Sequence, residues 1–70
     1  MRYFYTSIVF RKDKNVRIVD SSVWAPNKME AKRSIIQKER LLVSMMANIG
    51  YIVDRITVVE QKDIQRMKSK

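Results

Sequence analysis

From Arg2 to Phe10 the chain alternates, with Phe4, Thr6, Ile8 and Phe10 on one parity and Tyr3, Tyr5, Ser7 and Val9 on the other. A period of two carried by aromatic and β-branched residues predicts a well-packed strand. The charged run Arg11-Lys12-Asp13-Lys14-Asn15 then reads as a hairpin turn, because Asp13 and Asn15 tolerate turn backbone geometry best. A second strand is expected from Val16 towards Trp24. Its polar centre, Asp20-Ser21-Ser22, interrupts the alternation and predicts a β-bulge or a strand end there. That interruption leaves the side on which Trp24 falls unassigned.

Beyond Trp24 the period changes. Pro26 cannot donate to a sheet ladder, Asn27 is a good helix N-cap, and Glu30 stands where a capping-box acid would. A helix is expected from Lys28 to about Asn48, stopped by Gly50, the only glycine and a natural left-handed residue after a helix. At about 100° per residue, Ala31, Ile35, Glu39, Leu42, Met46 and Ile49 fall near one line, the face for the sheet. Arg33, Gln37, Arg40 and Ser44 lie opposite. The second half is less orderly, with Leu41, Val43, Met45 and Ala47 spread around the axis. A third strand, from about Tyr51 to Val59, places Ile52, Ile56 and Val58 on one parity and Val53 and Val59 on the other.

The order β-β-α-β predicts a small two-layer α+β sandwich, with a three-stranded, mainly antiparallel sheet packed on one helix. Strand order 2-1-3 puts the aromatic first strand in the centre. Parallel pairing of strands 2 and 3 through a right-handed crossover is the alternative. Residues 1–60 form the domain, and 61–70 a basic tail, either a short helical turn or disordered. Three strands cover only one side of the helix. Its apolar flank needs the tail (Ile64 and Met67, with Tyr51), a second copy of the chain, or another partner.

Seventy residues lie near the lower size limit for unaided folding, and the usual staples are missing. With no cysteine there is no disulfide framework, and with no histidine the commonest zinc ligand and neutral-pH base are gone. Lack of cysteine suits a reducing, cytoplasmic setting. The start of the chain has no continuous apolar core of a signal peptide, and no run is long enough to span a membrane.

The net charge of +8, from 15 Lys and Arg against 7 Asp and Glu, is spread along the chain without a polybasic block. Such an excess favours a polyanion as partner, and otherwise serves solubility. Two candidate nucleic-acid surfaces follow. On the helix, Lys32, Arg33, Gln37 and Arg40 could track phosphates or read groove edges, although Glu30 and Glu39 could pair with nearby cations. On the sheet, Tyr3 and Tyr5 on an open face, with Lys12, Lys14 and Arg17 as cationic neighbours, suit base stacking with phosphate capture. No helix-turn-helix, RNP-like or phosphate-cradling loop signature accompanies them.

Catalysis has little support. Asp54 beside Arg55, the Glu60 and Asp63 pair, and Ser21-Ser22 without a histidine read as exposed charge and strand polarity. The expectation is a non-enzymatic binding protein with no cofactor, no metal and no membrane partner, whose favoured ligand class is nucleic acid. The alternative is a protein-interaction module with Leu41, Val43 and Met45 at the interface. It would be a homodimer, or a small regulator or inhibitor, of the phage or mobile-element type, of a larger acidic protein. The β-β-α-β order and basic character are common among small ribosomal, phage and mobile-element proteins, which is an analogy of form alone.

Overall fold

The computed structural model describes residues 1–62. Strand β1 (Arg2–Lys12) and strand β2 (Asn15–Ala25) form an antiparallel hairpin. Helices α1 (Lys28–Lys38) and α2 (Arg40–Asn48) follow, and β3 (Ile52–Glu60) returns antiparallel beside β1. The sheet order is β2-β1-β3, so the aromatic strand is central and the parallel alternative does not occur. The expectation that Ile64 and Met67 cover the helix flank lies outside the described residues.

The hairpin turns on Asp13 and Lys14, and Asp13 takes a positive φ of 53°, which a short polar side chain tolerates. Its register runs unbroken from Arg2 opposite Ala25 to Lys12 opposite Asn15. The bulge expected at Asp20-Ser21-Ser22 is therefore absent. Those polar side chains are met by neighbours instead: Ser7 Oγ donates to Asp20 Oδ1 at 2.7 Å, and the Tyr3 hydroxyl to Ser22 Oγ at 2.6 Å. Cross-strand pairing of this kind lets polar residues sit in a regular strand.

The irregularity lies in β3. Val9 faces Arg55 while Phe10 faces Val53, leaving Asp54 as one extra residue. The bulge reverses the parity upstream of it. Val53 shares a face with Ile56 and Val58, whereas Ile52, expected beside them, falls on the other face with Val59 and is exposed.

The Asn27 side chain caps α1 by accepting from the Glu30 N–H at 2.9 Å, while the Glu30 carboxylate turns to Arg33 at 3.5 Å. The single expected helix is divided at Glu39, whose φ of −102° and ψ of 20° leave the helical range. Bonding continues through the bend, from Glu39 N–H to the Ile35 carbonyl and from Val43 N–H to the Glu39 carbonyl. The C-terminus of α2 closes as a Schellman motif. Gly50, at φ 93°, donates to the Ala47 carbonyl, and Tyr51 donates to that of Met46. Ile49, expected against the sheet, becomes the C-cap and is exposed.

Two clusters form the core on the helix side of the sheet. Phe4, Ala25 and Ala31 pack near the start of α1, with Val23 and Val58 around them. Ile8, Phe10, Ile35 and Tyr51 pack towards the hairpin end, flanked by Val19, Leu42, Val43, Met46 and Ile56. Two alanines facing each other allow the first turns of α1 to approach the sheet closely. Thr6 lies on the same strand face between the clusters, fully buried, and its hydroxyl has no hydrogen-bond partner among the described residues. No helix among the described residues is long and apolar enough to cross a membrane.

Candidate nucleic-acid and partner surfaces

Helix α1 buries Ala31 and Ile35, which turns Lys28, Lys32, Arg33 and Gln37 outwards; Arg40 follows at the start of α2. All of these are exposed. Arg33 shares Glu30 at 3.5 Å, an exposed i,i+3 pair that adds little stability and leaves most of the guanidinium in water. Among the described residues, Lys28, Lys32 and Arg40 have no acidic partner within salt-bridge distance. A hollow of about 290 Å³ adjoins Gln37 and Arg40. Exposed Met29 and Ile36 lie among these cations, so the face is cationic without being uniformly polar. Lys38 leaves this face and reaches across to β2.

The second sequence-derived surface is only partly assembled. Tyr3 and Tyr5 do share the open face of the sheet, with ring centroids 5.4 Å apart in an edge arrangement. Trp24, opposite Tyr3 and 61% exposed, joins them with its ring 4.8 Å from that of Tyr3. The expected cationic neighbours are elsewhere. Arg17 pairs with Phe10 and Lys12 with Asn15, which places both on the helix side of the sheet, while Lys14 stands in the turn.

Lys12 also has local work. Its stem lies along Gly50 and its ammonium 6.0 Å from the Tyr51 ring centroid, near the outer limit for a cation–π contact. Nine residues of strand, about 30 Å at 3.3 Å each, separate it from Tyr3. The cations that do share the open face are Arg11 and Arg55, and they are matched by Asp20 and by Asp54, which meets Arg11 at 3.5 Å. An aromatic patch on a charge-balanced face lacks the cationic groove that stacking sites need to hold phosphates.

The apolar residues of α2 divide. Val43 is half-buried, packed at the rim of the core with Leu42 and Met46. Leu41 is 76% and Met45 65% exposed, and both remain uncovered among the described residues. Trp24 and Ile18, exposed on the open sheet face, were not singled out from sequence. Unbroken hairpin parity from a two-residue turn would have paired Tyr3 with Trp24 and revealed the patch. Among the described residues no three His, Cys, Asp or Glu side chains gather into a metal ligand set.

No protein-family model, curated protein or solved structure matches the chain.

Proposed function

We propose that this chain is a non-enzymatic binding protein that contacts nucleic acid through the outer face of α1 and the first turn of α2. The observation that carries this reading is the set of exposed cations Lys28, Lys32, Arg33 and Arg40 along α1 and the start of α2, of which only Arg33 is ion-paired among the described residues. A row on a helix can follow a phosphate backbone or enter a groove, and Gln37 within it offers a donor and an acceptor. The aromatic sheet face is the weaker surface for this role, because its charges cancel.

The test is titration of labelled single- and double-stranded DNA and RNA at low and moderate salt. If each of those cations neutralises one phosphate, the logarithm of affinity falls against the logarithm of salt with a slope of about −3 to −4. Lys32→Glu combined with Arg40→Glu weakens binding and flattens that slope, whereas Arg11→Ala on the sheet leaves both unchanged. Absence of binding to all of these nucleic acids at low salt rejects the reading.

A second reading rests on the exposure of Leu41 and Met45. It is a protein-interaction module, as a homodimer or as a regulator or inhibitor of an acidic protein. Surface apolar residues three or four apart on a helix form a ready docking row. This reading predicts association that Leu41→Ser and Met45→Ser abolish.

A further inference from the structure

An open strand edge is a hazard that sheets ordinarily guard with bulges, prolines, charged side chains or a covering element. The two edges of this sheet are treated differently. β3 carries the bulge at Asp54. β2 is an unbroken strand of 11 residues with no proline inside it.

The two-residue turn at Asp13-Lys14 makes Lys12 and Asn15 a hydrogen-bonded pair, and the antiparallel alternation follows from there. The N–H and C=O of Arg17, Val19 and Ser21 therefore point to β1, and those of Val16, Ile18, Asp20 and Ser22 point outwards. The Ser22 carbonyl confirms the phase, because it accepts from Lys38 Nζ at 3.3 Å. Lys38 thus guards one end. From Val16 to Asp20 the backbone edge has no such cover among the described residues.

The flanks of that stretch are mixed, with Arg17 and Asp20 exposed beside Val16 and Ile18. On the open face, Ile18 is 63% exposed. In the helix layer, Lys38 reaches β2, and the exposed Leu41 and Met45 follow it at three and seven residues, beyond the break at Glu39.

We infer that β2 is the contact between two copies of this chain, paired antiparallel with Ile18 opposite its own counterpart, so that two three-stranded sheets become one of six. The occupant is a second copy because the stretch is self-complementary about Ile18. Centred on Ile18, Val16 meets Asp20 and Arg17 meets Val19, which adds about six backbone hydrogen bonds without opposing like charges. A dyad on Arg17 would oppose two guanidiniums, and one on Asp20 two carboxylates. A dyad on Val19 would need the Ser22 carbonyl that Lys38 occupies. With the dyad at Ile18 the two Lys38 contacts stand about 26 Å apart, clear of the seam. This contact is independent of the nucleic-acid reading, and its test contains no nucleic acid.

The chain has no cysteine, so single-cysteine variants report geometry directly. In the inferred register the Cα atoms at position 18 lie about 5.5 Å apart, within disulfide range, while those at 16 or at 20 lie ~13 Å apart. Mild oxidation of I18C gives a covalent dimer, and oxidation of V16C or D20C does not. Light scattering of the unmodified full chain gives twice the chain mass. Ile18→Pro removes only an outward N–H, and Ile18→Lys restores a natural edge guard. Either variant halves the mass while the circular dichroism spectrum is retained, and the lysine variant decides the matter if the proline variant unfolds. A wild-type monomer at high concentration overturns the inference. A dimer that survives Ile18→Lys, or cross-linking at 16 or 20 equal to that at 18, overturns it as well.

Discussion

Lys38 Nζ donates to the Ser22 carbonyl at 3.3 Å and to Ser21 Oγ at the same distance, tying the last turn of α1 to the outer edge of β2. The contact is exposed, so its free-energy contribution is small. Lys38→Met lowers unfolding stability by less than about 1 kcal/mol in urea titration. A loss of several kcal/mol would mean that the lysine holds the layers together, which its exposure argues against.

Thr6 offers the opposite case. Its hydroxyl is buried at the centre strand without a partner among the described residues, opposite Ser21 and Val58. Valine has the same shape without the unsatisfied oxygen. Thr6→Val raises stability by about 1 kcal/mol, which a thermal scan reads as an increase of ~4–8 °C. A lower melting temperature would place a hydrogen-bond partner on Thr6.

Gly50 combines a left-handed backbone with close approach of Lys12, whose Cε would lie 3.0 Å from an added Cβ. Left-handed strain costs an L-residue roughly 1–2 kcal/mol, while the lysine stem can swing away. Gly50→Ala therefore destabilises by about that amount. A double-mutant cycle with Lys12→Ala shows coupling below ~0.5 kcal/mol, because backbone strain outweighs the clash. Full rescue by Lys12→Ala would assign the cost to the lysine instead.

Neighbouring leucines on α2 should behave differently. Leu42 packs on the core cluster, and Leu42→Ala costs about 2–4 kcal/mol. Leu41 is exposed, and Leu41→Ser leaves the unfolding free energy of the isolated fold within ~0.5 kcal/mol. Chemical denaturation at low protein concentration separates the two, since any contribution of Leu41 through a second copy fades with dilution.

The helix start at Asn27, its stop at Gly50, the central aromatic strand and the order of the sheet were legible because each rests on local chemistry or strict parity. The bulge was not. Asp20-Ser21-Ser22 looked like a defect because its polar side chains had no visible partners, yet Ser7 and Tyr3 supply them across the hairpin. Asp54, the real extra residue, sits in an otherwise regular pattern and shows itself only when Val53 and Ile52 exchange faces. The cationic helix row was readable from a 3.6-residue period. The sheet site was not, since proximity in sequence placed Lys12 and Arg17 beside tyrosines that the fold puts on the other face and far along the strand.

The extra residue at Asp54 also bears on how far an assembly can grow. Two copies joined through β2 leave a β3 edge at each end of the combined sheet, and each of those edges is out of step by one residue midway along. A third copy would find no continuous ladder to extend. The contact is also isologous, so it uses the same surface on both partners and is exhausted once made. In the proposed dimer growth would stop at two, because the shared edge is used up and each free β3 edge carries the irregularity at Asp54.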